Sequence, residues 1–125
     1  MKLKIYYHHT DCGGVVYYAK YLEFLEEART EYLASKGVSV QEFAKLGTLF
    51  VVARQEIDYK SPAHYGDVLE IDTKISNVSG VRMEFDYEIK NQDKKTICLA
   101  KTILVSVDKN LKPKAIPEEV KERIS

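Results

Sequence analysis

The sequence has no surplus of charge. Lys+Arg and Asp+Glu both number 19 in 125 residues. A nucleic-acid binder usually carries a basic excess, so that class of partner is not expected. The same balance does little to hold copies of the chain apart, which favours self-association. No apolar run approaches the roughly 18 residues of a membrane span. The opening Met1-Lys2-Leu3-Lys4-Ile5-Tyr6-Tyr7 has no apolar stretch of the export-signal type, so a cytoplasmic location is the expectation. Cysteine is scarce. Cys12 and Cys98 are expected as free thiols, and Cys12 has no second ligand at C-x-x-C spacing, so no metal site is expected. Internal repeats, low-complexity tracts and linkers are absent, as are a G-x-S-x-G elbow and a phosphate-binding P-loop.

The chain has 45% hydrophobic and 30% charged residues, which excludes a disordered chain. Its length fits one domain, 1–125, able to bury roughly two-thirds of its surface. Leu3 to Tyr7 reads as a short strand and His8 to Gly14 as a polar loop. Tyr17, Tyr21, Phe24, Ala28 and Tyr32 then recur at three- and four-residue steps, predicting one long helix over about 16–36 closed by Gly37. Ser39-Val40-Gln41-Glu42 fits a capping box, with Val38 and Phe43 as a hydrophobic staple, so a short helix should run to about Gly47. Beyond it the period is two. From Val81 to Ile89 every odd residue is apolar and every even one charged, the pattern of a strand with one face in a core. Leu69 to Ser76 alternates likewise, Leu49–Tyr59 and Thr96–Val107 are more apolar strands, and Pro117 opens a short terminal helix. Short connections favour antiparallel neighbours, and only the long helix can cover the apolar face of such a sheet. This predicts an α+β fold with the sheet curled around the helix.

The densest chemistry lies in His8-His9-Thr10-Asp11-Cys12-Gly13-Gly14-Val15-Val16-Tyr17-Tyr18. A carboxylate stands just before a predicted helix start, whose free N–H groups can stabilise an oxyanion. A base beside an oxyanion hole is what acyl-transfer hydrolysis needs. Each residue also has a plain structural role: Asp11 as a turn or cap former, His8 and His9 as surface histidines, Cys12 as a small hydrophobe without an activating base.

The run Tyr6-Tyr7-x-x-Thr10-Asp11-x-x-Gly14-Val15-Val16-Tyr17-x-x-x-Tyr21, followed by Glu26-x-Ala28-Arg29-Thr30-Glu31, resembles the hotdog-fold acyl-CoA thioesterases. Within them it is closest to the YbgC / 4-hydroxybenzoyl-CoA thioesterase-like family. The likeness continues through Phe50-Val51-Val52, Ile57-Asp58-Tyr59, Pro62-Ala63, Gly66-Asp67 and Lys112-Pro113-Lys114-Ala115-Ile116-Pro117. It implies a hotdog fold, a long central helix wrapped by a curved antiparallel sheet, and hydrolysis of an acyl-CoA thioester. It places the catalytic carboxylate at Asp11 with Tyr7 beside it and the oxyanion donor at the Tyr18 N–H. Substrate contacts are expected at His9, Gly14, Val15, Lys60 and Arg82, the last two for phosphates. Many YbgC members carry histidine at the Tyr18 position and an acid at the His9 position. The 4-hydroxybenzoyl-CoA branch has an aromatic residue at the Tyr18 position, so these departures bear on substrate choice and rate more than on reaction class. No cofactor is expected, because a thioester is already activated. A homodimer or homotetramer is expected, with acyl-CoA as substrate and an acyl-carrier protein as the alternative thiol carrier. The rival readings are a hotdog hydratase or dehydratase, and a non-catalytic acyl-CoA or lipid-synthesis partner module.

Overall fold

The computed structural model describes Met1 to Ser125. A short strand β1 (Lys2–Lys4) leads into one 3₁₀ turn (Tyr7–His9). Helices α1 (Lys20–Ser35) and α2 (Val40–Lys45) follow, then strands β2 (Leu49–Tyr59), β3 (Val68–Ser79), β4 (Arg82–Lys90) and β5 (Thr96–Val107), and helix α3 (Glu118–Ile124). The five strands form one antiparallel sheet in the order β1-β3-β4-β5-β2. The α+β arrangement expected from the periodicity, a long helix held against a curled sheet, is the one adopted.

The inner face follows from the register. Met83, Phe85, Tyr87 and Ile89 of β4 pair with Leu104, Thr102, Ala100 and Cys98 of β5, so alternate residues of both strands point at α1. The helix answers with Tyr21, Phe24, Leu25, Ala28 and Leu33, all buried. The outer face carries the charges. Lys101 lies 2.9 Å from Asp86, which raises the lysine's pKa above the ordinary range.

Helix α1 ends as expected. Gly37 takes φ +80°, its N–H donates to the Ala34 carbonyl, and the Val38 N–H reaches the Leu33 carbonyl. This is a Schellman close, with Val38 and Leu33 buried together. The Ser39 hydroxyl accepts the Glu42 N–H at 3.2 Å, but the Glu42 carboxylate turns to Lys45, so only half of the capping box forms.

Three expectations need correction. The first strand stops at Lys4, because the chain must tighten into the 3₁₀ turn at Tyr7. The long helix begins at Lys20, not near Val16, because Val15 and Val16 are extended and bridge to His64 and Thr10. Branched valines favour that extended state. Tyr17 accordingly lies outside the helix and is exposed. Finally, β2 and β3 are consecutive in sequence but not neighbours in space. β2 pairs with β5 on the far edge, and residues 60–67 cross the end of the sheet to reach β3.

Leu25 is fully buried between α1 and the sheet. Leu25→Ala should lower stability by about 2–5 kcal/mol, the range for a large-to-small change in a packed core. The check is a urea midpoint at fixed protein concentration. A loss under about 1 kcal/mol would mean that α1 is not seated on the sheet as described.

Candidate active site

The Asp11 region is a small β-hairpin. The Tyr17 N–H donates to the His9 carbonyl and the Asp11 N–H to the Val15 carbonyl, each at 3.0 Å, with Thr10 and Val16 bridging between them. At the tip, the Gly14 N–H returns to the Asp11 carbonyl at 3.0 Å. Gly14 has φ +79°, a conformation that costs a side-chain-bearing residue about 1–2 kcal/mol. The second arm docks on the crossover: the Val16 N–H donates to the Ala63 carbonyl at 2.8 Å, and Val15 bridges to His64.

Asp11 is exposed at this tip. Its Oδ1 accepts the Gly13 N–H at 2.8 Å, an Asx-type turn, and Oδ2 takes no hydrogen bond from the protein. A Cβ on Gly13 would sit 3.2 Å from Asp11 Oδ1, so residue 13 is glycine where the carboxylate needs the space.

Tyr18 lies two residues before α1, in the turn that ends the hairpin. The Lys20 N–H bonds to the Tyr17 carbonyl and the Leu22 N–H to the Ala19 carbonyl, while the Tyr18 N–H has no acceptor in the chain. The donor expected at a helix start is therefore a turn amide just ahead of it. The Tyr18 carbonyl is held by the Tyr59 hydroxyl at 2.9 Å. Tyr7 is 75% exposed and lies against Tyr65, with ring centroids 5.9 Å apart and the planes tilted by 54°.

Beside the hairpin, Val16, Tyr18, Tyr21, Tyr59, Lys60 and Pro62 line a groove of about 310 Å³. Burial raises the phenol pKa values of Tyr21 and Tyr59, so both stay neutral and wall the groove. Cys98, buried at the start of β5, is pushed up to about 12 by burial, so its thiol packs and does not attack.

The other expected contacts fall as follows. Gly14 and Val15 are at the hairpin tip and second arm. Lys60 lines the groove. Arg82 does not join it. It starts β4, pairs with Val105, and lies 3.6 Å from Glu84. Lys60 donates its N–H to Ile97, so the two cations are separated by most of β5, roughly 27 Å at about 3.4 Å per residue. His9 is half-buried, with Nδ1 accepting the Tyr6 N–H at 2.9 Å and its ring edge-on to Phe24. Tyr59 and Tyr65 were not singled out from the sequence. Tyr59 ends a strand pattern, a placement that could have signalled it, whereas nothing local marks Tyr65. The groove continues onto an unusually exposed set of rings, with Tyr7, Tyr17, Tyr18, Tyr59 and Tyr65 all at least 45% accessible.

Residues 7–124 match the model of the thioesterase-like superfamily. The chain is 41% identical over 123 residues to the acyl-CoA thioesterase YbgC of Haemophilus influenzae, covering 95% of this chain and 88% of that protein. It is 37% identical over 119 residues to the acyl-CoA thioester hydrolase YbgC of Escherichia coli, covering 94% of this chain and 89% of that one. Among solved structures it superposes on a 1,4-dihydroxy-2-naphthoyl-CoA thioesterase from Synechocystis with a TM-score of 0.92 and 28% identity, over 99% of this chain and 93% of the other.

The two thiols give a direct check of the site's geometry, since Cys12 is exposed and Cys98 buried. Iodoacetamide at pH 8 should add one carbamidomethyl group to the folded protein, at Cys12, by intact and peptide mass. Equal modification of Cys98 would mean that the floor beneath Tyr21 and Tyr59 is open.

Proposed function

The chain belongs to the thioesterase-like superfamily and is a thioester hydrolase with the hotdog fold, and on that premise we propose that it cleaves acyl-CoA at the Asp11 hairpin. The observation that carries this reading is the division of labour in the Asp11 carboxylate. Oδ1 is held by the Gly13 N–H, and Oδ2 is left to the substrate, while the Tyr18 N–H, just past the second arm of the same hairpin, is free.

The reaction has two forms that this arrangement serves equally. Oδ2 attacks the thioester carbonyl, the C–S bond breaks, CoA leaves as thiolate, and water opens the resulting mixed anhydride. Alternatively Oδ2 takes a proton from water, the hydroxide adds to the carbonyl, and the tetrahedral intermediate collapses to acid and CoA. In either form the carbonyl oxygen gains negative charge, and the unpaired Tyr18 N–H supports the reading of this amide as its donor. Tyr59 holds the Tyr18–Ala19 peptide through its carbonyl, next to the peptide that carries the Tyr18 N–H. The aromatic groove receives the acyl portion, Tyr7 flanks it, and Lys60 meets phosphate.

The working unit is a homo-oligomer. β2 is an edge strand of 11 residues, with its free edge open and Val51 and Val52 36% and 49% exposed. Such an edge is a template for another strand. Self-pairing in antiparallel sense, centred on Gln55, sets Arg54 of each copy opposite Glu56 of the other. Within one copy the register already reads Lys74, Asp86, Lys101, Glu56 across the outer face, so Arg54 of a second copy extends an alternating row of charge. This pairing also brings Arg82 of the second copy to the end of the sheet that holds Lys60. The two cations then lie at one end of the joined sheet, about three strand spacings or roughly 14 Å apart. A cytoplasmic location and an acyl-carrier protein as alternative substrate carrier remain part of this proposal.

Two measurements test it. Asp11→Asn retains the Oδ1 acceptor and removes the charge, so kcat on a good acyl-CoA should fall at least about a hundredfold, roughly 2.7 kcal/mol of barrier, with KM and melting temperature little changed. Near-normal kcat in the folded variant would remove Asp11 from the chemistry. Separately, Arg54→Glu sets carboxylates against each other at both symmetric contacts and should weaken association about tenfold in a sedimentation dilution series. The double change Arg54→Glu with Glu56→Arg should restore it. An unchanged mass for the single variant at every dilution would rule out this register.

A further inference from the structure

His9 holds three parts of the site together. Its Nδ1 accepts the Tyr6 N–H at 2.9 Å, as a third-position side chain does when it reaches back to the residue before a helical turn. Its own N–H donates to the Tyr6 carbonyl, and its carbonyl accepts the Tyr17 N–H, both at 3.0 Å, closing the hairpin that carries Asp11. Its ring stands edge-on to Phe24 of α1 at 5.2 Å and lies 4.1 Å from the His8 ring. The one residue therefore ties the turn bearing Tyr7, the hairpin bearing Asp11, and the N-terminal part of the long helix. Only the neutral ring with the proton on Nε2 can do this, since Nδ1 must offer its lone pair.

We propose that His9 is a positioning residue whose neutral imidazole pins the Tyr6–Thr10 turn, and that protonating this ring releases the pin and loosens the alignment of Tyr7 and Asp11. The catalytic half of this inference rests on reading Asp11 as the reacting carboxylate; the pin itself does not.

The surroundings favour the neutral ring. Burial is the largest cause of a pKa below the ordinary imidazole value, followed by His8 and Lys20, with Glu23 opposing weakly. The remaining titratable group facing the ring is the Tyr6 phenol, at 5.9 Å between centroids. The sign follows. With the folded value depressed below the unfolded 6.5, the pin contributes fully above pH 6.5 and is lost as pH falls through the folded value. An acid weakening of the site is thus built into this turn, separate from any titration of Asp11.

The test uses two variants of the full-length protein. His9→Phe keeps a ring against Phe24 and removes the acceptor. His9→Asn offers Oδ1 near the place of Nδ1 and cannot titrate. His9→Phe should lose about tenfold in kcat with KM moved less than threefold. His9→Asn should bring kcat back to within about threefold of the wild type, with the acid limb of its pH profile shifted to lower pH. In the wild type, ¹⁵N shifts of the His9 ring should report the Nε2–H form at neutral pH and a midpoint below 6.5. Either a protonated Nδ1 at neutral pH, or equal loss in both variants, would overturn the proposal, the second because the ring would then act through Nε2 on substrate. Assaying Asp11→Asn beside them separates the two ideas. An active Asp11→Asn with the ring shifts as expected defeats the catalytic reading and leaves the pin standing, whereas the converse result defeats the pin alone.

Discussion

The chain has to travel from the β2 edge of the sheet to β3, beside the opposite edge strand β1, between Tyr59 and Val68, and the candidate active end is organised around that crossing. β2 and β3 stand three strand spacings apart, about 14 Å at about 4.8 Å each, and eight residues must bridge them across the end of the sheet. Asp67 makes the path rigid. Its Oδ2 accepts the His64 N–H at 2.8 Å, its Oδ1 accepts from the Gln92 amide at 3.0 Å, and its carbonyl accepts the Ile5 N–H at 2.8 Å. The Gln92 oxygen in turn takes the Val68 N–H at 3.0 Å. Asp67 and Gln92 so join the end of β1, the crossing, the start of β3 and the end of β4. The crossing then offers the Ala63 carbonyl to Val16, and the hairpin has a floor. A hairpin this short has few contacts of its own and would not hold a reactive geometry unaided.

That placement also explains why so much aromatic surface lies open in a single copy. Helix α1 packs against the β3 side of the sheet and leaves the β2 side of the inner face thinly covered, so Val52 and Tyr59 remain about half exposed although they point inward. The groove by Tyr18 opens on this uncovered side. Sheet continuation through β2 would close it with apolar residues from the same strand of a second copy. A monomer of this fold would offer the acyl group one wall, whereas a paired sheet offers it a slot.

Much of this was legible in the sequence, for reasons tied to particular residues. The odd-even alternation of β4 and the Gly37 stop of α1 are local signals, and both elements lie where those signals put them. The helix start was misplaced because the three-residue spacing of Tyr17 to Tyr21 imitates a helix face while Val15 and Val16 are drawn into bridges by His64 and Thr10, partners far away or across a turn. The place of β2 at the far edge had no local cause at all. It depends on Gln55 reaching the buried Thr102 hydroxyl at 2.6 Å and on the pairing of ten residues with β5. Asp11, Tyr7 and Tyr18 could be named because they sit in one contiguous motif. Tyr65 could not, since it reaches the hairpin only through the crossing, and Tyr59 was marked only by its place at the end of a strand. Lys60 and Arg82 were grouped as phosphate contacts by charge alone, and the register of β5 is what puts them at opposite ends of one copy.

The two readings of Asp11 drawn from the sequence, a turn former or a reacting carboxylate, are not rivals. A free aspartate at an exposed tip samples several rotamers, and fixing it costs entropy at the moment of reaction. The Gly13 N–H takes one oxygen and removes most of that freedom beforehand, while a single neutral donor leaves the second oxygen unengaged. The requirement then passes to Gly13, whose missing Cβ would otherwise press on the bound oxygen at 3.2 Å, and to Gly14, which supplies the left-handed backbone that closes the loop. On the proposal that Asp11 is the reacting carboxylate, the structural role sets up the chemical one, and the Cys12-Gly13-Gly14 tip shapes the site although none of its side chains need touch substrate.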